Sequence, residues 1–387
     1  MLKEKESLRQ KAVELYEKQV PVTTIVRQLG KSKSWFYKWL KRYRTRDNEW
    51  YKEDSKRPKK RNNKTSREIE LLVVETRKRL ESQPYHQYGP QAIFYELKAQ
   101  GIDEPPPVWA IARILKRYDM VKNKSNRTYQ PKGRTYLYSD FILCHQMDYI
   151  GPRYLKGGQG YYAHTIICQD SHFAQAIIQD NCTSHSTCEN LIRFWKKAGI
   201  PDFLQMDNSI SFWGSLRKPT ALGKVIRLCL LYRVIPIFIP VREPWRNGII
   251  EHFNRTFQSA VLSRNYTNIN ELKQRAKEFC EIHNRTHNYS SQEGMTPNQR
   301  MALLDYPLKK VSNEHKIPNY NFELEEGKIY VIRLIRSDLK FHLFGLSFKL
   351  PDEVQYEYVL GVILTVEHKL KIFKEQKCIA EFPFKLF

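Results

Sequence analysis

Apolar positions along the chain change their period twice. Between residues 5 and 45, Leu8, Ala12, Leu15 and Tyr16 recur at helical spacing, and Val22, Ile25, Val26 and Leu29 repeat the pattern. Gly30 closes that second segment, and Ser32 stands as an N-cap for a third, SKSWFYKWLKRY. On the third segment Trp35, Trp39 and Tyr43 share one face, which leaves Lys33, Tyr37, Lys38 and Lys41 largely elsewhere. Helix, tight turn and basic helix predict a helix-turn-helix unit over 1–45. Residues 46–64 carry many charges and no period, as a linker does. Helical spacing returns over 65–120, in REIELLVVETRKRL, GPQAIFYELKAQGI and VWAIARILKRYDM, with Pro105, Pro106 and Pro107 breaking the chain between the last two. A second basic linker spans 121–137.

From residue 138 the pattern becomes strand-like. ILCHQMDYI, YYAHTIICQ and FAQAIIQ read as strands, followed by the helix HSTCENLIRFWKKAG. FLQMD is a short strand, KVIRLCLLYR a helix and VIPIFI a strand, and a helix begins near Asn247. Strands that give way to strand–helix alternation predict a mixed sheet flanked by helices over 138–305. Residues 320–387 hold short β-rich runs separated by turns, KIYVIRLI, LKFHLFGLSFKL, QYEYVLGVILTV, LKIFK and CIAEF. They predict a small barrel or sandwich. The expected architecture is multidomain α+β.

Charge narrows the choice of partner. The chain has 387 residues and a net charge of +24, from 65 Lys and Arg against 41 Asp and Glu. Half of that excess lies in residues 1–64. A surplus of this size favours a polyanion, because each neutralised phosphate releases a counterion. A ribosome-like or membrane-surface protein is the blander alternative. The seven cysteines are odd in number and form no C-x-x-C pair, so a zinc finger or disulfide framework is not expected. The opening MLKEKESLRQ has no apolar signal core, so the expected location is the cytoplasm, on the nucleoid.

Three acids stand out by placement. Asp148 lies within an apolar strand, where a carboxylate must face a polar cleft or be paired. Asp207 ends FLQMD, at the carboxyl end of a strand, where ligands of α/β sheets bind. Glu251 falls in the first turn of the helix after PWRNG, with Asn247 as its expected N-cap. Oxygen ligands from different elements suit hard divalent ions, and two such ions can hold the attacking and leaving oxygens of a phosphodiester in line. Taken singly, each acid reads first as a structural carboxylate, and only their joint placement points to a site. His145 reads as a neutral strand histidine or a neighbour of Asp148, and the pair His283 and His287 as structural.

The runs HQMDYIGP, QMDNSISF and PVREPWRNGIIEHFNRTF resemble the catalytic core of DDE transposases of bacterial insertion sequences and of retroviral-type integrases. The Pro-x-x-Asn-Gly-x-x-Glu signature is met by Pro244, Asn247, Gly248 and Glu251. The resemblance implies a ribonuclease-H-like core and an acidic triad of Asp148, Asp207 and Glu251. It further implies two Mg2+ (or Mn2+) ions, with Asp148 bridging them, Asp207 on one and Glu251 on the other. The partners would be double-stranded DNA, as terminal inverted repeats and target, and further copies of the chain. Candidate DNA contacts are Lys33, Ser34, Tyr37, Lys38, Lys41 and Arg42 in the head, and Arg246, Asn247, Asn254 and Arg255 beside the third acid. The chain departs from the family in three places. His145 stands for a frequent tryptophan, Ser209 for a glycine able to take positive φ, and the Asp207–Glu251 spacing is longer, with SFWGSLRKPTALGK as an extra loop over the site. A DNA-binding regulator on an inactive core and a purely hydrolytic nuclease are the competing readings.

Overall fold

The computed structural model describes residues 2–45, 49–53, 65–121, 143–215, 217–304, 310–311, 317 and 322–386. It divides into two units, Met1–Thr65 and Ser66–Phe387. Residues 46–48 and 54–64 of the first linker, 122–137 of the second, and 138–142 lie outside the described residues.

The first unit is three helices, α1 (Leu2–Glu17), α2 (Val22–Leu29) and α3 (Lys33–Thr45). Gly30 takes the left-handed conformation that ends α2, and its N–H is bonded within the last turn. Ser32 Oγ accepts from Trp35 N at 3.1 Å, so it opens α3 as expected. The buried face of α3 is Phe36, Trp39 and Leu40, which rotates the expected face by about one position. Trp35 is half-buried and Tyr43 exposed. Phe36 joins Ala12 and Ile25 in the core because it reaches both other helices. Residues 49–53, read as linker, fold back on the head. Trp50 meets Tyr43 at 5.0 Å, and Arg9, stacked over Trp39 at 3.9 Å, donates to Tyr51 O at 2.6 Å and Glu53 at 3.0 Å.

The second unit opens with α4 (Arg67–Ser82), α5 (Pro90–Ala99) and α6 (Val108–Arg117). They pack around Val73, Leu80, Ile93, Leu97, Ile111 and Ile114. The chain then enters β1 (Cys144–Tyr154), β2 (Gly160–Cys168) and β3 (Ala174–Gln179), with β2 antiparallel to both β1 and β3. Next come α7 (Ser184–Ala198), β4 (Phe203–Met206), α8 (Ile210–Trp213), α9 (Lys224–Leu231) and β5 (Ile235–Phe238). Strand β4 pairs parallel to β1, and β5 parallel to β4. Then follow α10 (Gly248–Phe257), α11 (Ile269–Thr286) and α12 (Pro297–Ala302). Alternation along β1 sends Met147 into a core shared with α7 and α9, and Ile150 into a core shared with α10 and α11.

The β-rich segment expected over 320–387 is present as β6 (Lys328–Leu334), β7 (Lys340–Leu343), β8 (Leu346–Lys349), β9 (Tyr358–Leu364), β10 (Lys369–Lys374) and β11 (Lys377–Pro383). Four of these strands continue the core sheet, whose order is β11-β10-β9-β6-β5-β4-β1-β2-β3, and β7 and β8 form a hairpin of their own. Strand β6 pairs parallel with β5 through Ile237↔Tyr330 and Phe238↔Val331. One hydrophobic core runs through both parts, from Leu191 and Val225 to Phe341, Ile363 and Ile372.

The long segment between Asp207 and Glu251 is pinned into that core. Gly214, at φ 127°, lies against Gly223 so closely that a Cβ there would meet its backbone nitrogen at 2.7 Å. Trp213 donates to Pro219 O at 3.1 Å and stacks on Phe344 of the β7–β8 turn at 4.0 Å. Replacing Trp213 with Ala should cost about 3–5 kcal/mol of stability, since the side chain is fully buried. Urea unfolding followed by circular dichroism measures this, and a loss below about 1 kcal/mol would contradict it.

Candidate active site

Asp148, Glu251 and Asn254 meet because a strand and a helix are tied together at several points. Asp148 lies on the face of β1 that looks toward α10, two places after Gln146. Its Oδ2 accepts from Asn254 Nδ2 at 2.8 Å, and its Oδ1 accepts from the N–H of Tyr149 at 2.8 Å. Asn254 stands three residues after Glu251, so both project from one side of α10. Asp207 follows the last residue of β4 and accepts from Ser209 N at 2.9 Å. All three acids are half-buried.

Electrostatics report their nearness. The Asp148 carboxyl is pushed up to about 7, first by burial, then by Asp207, with Glu251 adding in the same sense. The bonds from Tyr149 and Asn254 oppose the rise. Asp207 is also raised by burial, against the pull of the Ser209 N–H. Among the described residues, no three His, Cys, Asp or Glu side chains are already gathered as a single ion would need. The acids are close enough to repel, and Asn254 occupies one oxygen of Asp148.

Two glutamines hold the helix in place. Gln146 Oε1 accepts from the N–H of Ile250 at 3.0 Å, one of the open donors in the first turn of α10. Gln205 Nε2 donates to Arg246 O at 3.1 Å and to Asn247 Oδ1 at 2.7 Å. The glutamines face each other in the β1·β4 register, Gln146↔Gln205. The pairing ends there, and Asp148 and Asp207 each follow two residues after these glutamines, Asp207 just past the end of β4. Sequence reasoning missed both glutamines. The triplet Gln-Met-Asp occurs twice, at 146–148 and 205–207, and that repetition is the signal that would have found them.

Several expected roles change. Asn247 is at the N-cap position of α10 but makes no side-chain cap; its oxygen accepts from Gln205 instead. Asn247 and Asn254 are buried, and Arg246 is bonded to Glu243 and Tyr358, so these three expected DNA contacts are placed in internal bonds. Arg255 is exposed. In the head, Lys33, Ser34, Tyr37, Lys38 and Lys41 are exposed, whereas Arg42 lies over Trp39 at 4.7 Å and donates to Lys52 O at 3.2 Å. Ser209 has φ −62°, so its position makes no demand for glycine, and its hydroxyl opens α8. His145 is on the opposite face of β1 from Asp148, edge-on to Phe194 at 5.1 Å, and burial pushes it down to about 3. His283 and His287 are buried and bonded to the carbonyls of His172 and Tyr85.

Residues 3–49 match the family described as "Homeodomain-like domain", and residues 232–297 match the one described as "Integrase core domain". The second match is to part of a core, 66 of the 387 residues. The match to that core takes in Glu251 and its helix and begins after Asp148 and Asp207. No curated protein matches the sequence. Among solved structures the chain is similar to the HTLV-2 integrase catalytic core domain in complex with magnesium. The dimeric form has 16% identity, covers 41% of this chain and 94% of that one, and has a TM-score of 0.31. The trimeric form has 15% identity, covers 41% and 95%, and has a TM-score of 0.32. The BIV integrase catalytic core domain has 12% identity, covers 41% and 93%, and has a TM-score of 0.32. The strand order β3-β2-β1-β4-β5, antiparallel then parallel, is the ribonuclease-H-like arrangement expected of an integrase core. Among the described residues, no helix is long and apolar enough to cross a membrane.

The integrase core yields two expectations. Replacing both Gln146 and Gln205 with Ala leaves Ile250 N and Asn247 without partners and should cost about 1–3 kcal/mol per site, read by urea unfolding. Unchanged stability in the double variant would show that the glutamines do not hold α10. The second expectation concerns pH. The folded Asp148 keeps its proton up to about 7, whereas an unfolded aspartate loses it near about 4. Between those values the folded state binds the extra proton, so stability falls as pH rises through that window. The buried histidines, held well below their ordinary value, give the opposite slope in both proteins, so the Asp148 contribution is read as a difference: the melting temperature of the metal-free wild type relative to Asp148→Asn should fall as pH rises from 5 to 8. A profile identical in wild type and variant would contradict the carboxylate repulsion.

Proposed function

We propose that the chain is a DNA transposase or integrase that binds the ends of a mobile element, cuts their 3′ ends and joins them to target DNA. The observation that supports this best is the convergence on Asp148. Two other carboxylates, from a strand end and a helix, press on it electrostatically, and Asn254 holds its orientation. Structural acids are ordinarily paired with cations; mutually repelling ones in a cleft mark a site that binds positive charge.

Asp148, Asp207 and Glu251 would hold Mg2+ or Mn2+, and the donor set fits such ions because all its atoms are carboxylate oxygens. When bound, a pair of these ions supplies positive charge to the attacking and leaving oxygens of the phosphodiester. Tyr149 N–H and Asn254 keep the Asp148 carboxylate turned into the cleft. Gln146 and Gln205 keep Glu251 above it. In the first step a water oxygen bonds to phosphorus and the P–O3′ bond breaks, releasing the element's 3′-OH. In the second, that hydroxyl oxygen bonds to a target phosphorus and the target's P–O3′ bond breaks. One phosphodiester forms as another is lost, so strand transfer needs no external energy source. The head would supply end recognition through the exposed Lys33, Ser34, Tyr37, Lys38 and Lys41, with phosphate contacts predominating. Arg255 would meet DNA beside the cleft.

Asp148→Asn, Asp207→Asn and Glu251→Gln should each lower cleavage and strand transfer on element-end DNA by at least about a thousandfold, while DNA binding by gel shift persists. Full activity in any one of the three rejects that residue's role. Binding without cutting by the wild type under Mg2+ or Mn2+ would favour a regulator, and cutting without joined products a nuclease.

A further inference from the structure

The C-terminal strands reach back to both loops that carry acids. Arg333 on β6 is buried, and its guanidinium donates to Asn208 Oδ1 at 2.8 Å and to the carbonyls of Ile239 at 3.2 Å and His342 at 2.9 Å. Asn208, the neighbour of Asp207, also donates to Ile239 O at 2.7 Å. The ends of β4 and β5 are thereby joined through one tail side chain. On β9, the buried Tyr358 hydroxyl lies 2.7 and 2.9 Å from the two carboxylate oxygens of Glu243. Arg246 completes a triangle, donating to Tyr358 at 3.1 Å and to Glu243 at 3.0 Å. Glu243 and Arg246 belong to the turn that leads into α10 and Glu251.

We infer that Arg333 and Tyr358 are positioning residues for the acidic site, so that the tail sets the spacing of Asp207 and Glu251 about Asp148. This rests on the reading of those acids as the metal-binding set. Neither residue touches the reacting atoms. Each fixes the loop beside one acid, and groups that orient a ligand's support are worth about ten- to a hundredfold in metal affinity.

The test is calorimetric titration of Mn2+ into the full chain, comparing wild type with Tyr358→Phe and Arg333→Lys, with a thermal melt of each as control. Tyr358→Phe retains the buried ring and removes only the hydroxyl, so it decides the matter if Arg333→Lys fails to fold. The expected result is a Mn2+ dissociation constant raised about tenfold in Tyr358→Phe at unchanged stoichiometry, measured well below its melting temperature. The concentration of Mn2+ giving half-maximal cleavage should rise in parallel. Wild-type affinity in a folded Tyr358→Phe overturns the inference and leaves the functional reading standing. A wild type that binds no Mn2+, or binds it equally well as Asp148→Asn, overturns the functional reading and this inference with it.

Discussion

Like charges brought together in a half-buried cleft set the terms for this molecule. Burial alone raises the cost of ionising Asp148, and Asp207 and Glu251 add to it. A fold that assembles such a group must hold it against its own repulsion. The means are ordinary hydrogen bonds placed one layer behind the acids: Asn254 on Asp148, Ser209 N–H on Asp207, and Gln146 and Gln205 on the start of the helix that bears Glu251. Each is worth little by itself. Their effect comes from acting on rigid elements, two paired parallel strands and the first turn of a helix.

Much of this was legible in the chain. The shift from helical to alternating period located the sheet, and the observed strands fall within a few residues of their expected places. Asp148 and Asp207 were visible as acids in or at the end of apolar strands, and Glu251 through its Pro-Asn-Gly context. The polar residues around them were harder to assign. Asn247, Asn254 and Arg246 have the chemistry of DNA contacts, and periodicity does not say that they turn inward to Gln205, Asp148 and Tyr358. On α3 the error was one of rotation. Trp35 and Phe36 are neighbours of similar hydrophobicity, and only packing against α1 and α2 selects Phe36 for the core.

The tail exposed a deeper limit. Its strands were evident, but alternation identifies a strand without naming its neighbour. Read alone, five β-rich runs suggest a closed unit. In the structure the edge of the core sheet at β5 accepts β6, which removes an unpaired edge and merges two hydrophobic clusters. The long segment after Asp207 gains its meaning from the same union, since Trp213 within it stacks on Phe344 of the tail hairpin.

The junction between β5 and β6 also bears on how the protein comes into being. Ile237 must wait for Tyr330 before that edge closes, a contact between positions distant along the chain. Non-local pairings of this kind form late and slow the folding of a chain. During synthesis β5 emerges before its partner β6, and Asn208 and Glu243 meet Arg333 and Tyr358 only once β6 and β9 have been made. A chain that stopped before β6 would carry all three acids and yet lack both Arg333 and Tyr358. The bracing of the acidic loops thus depends on strands that follow all three acids in the chain.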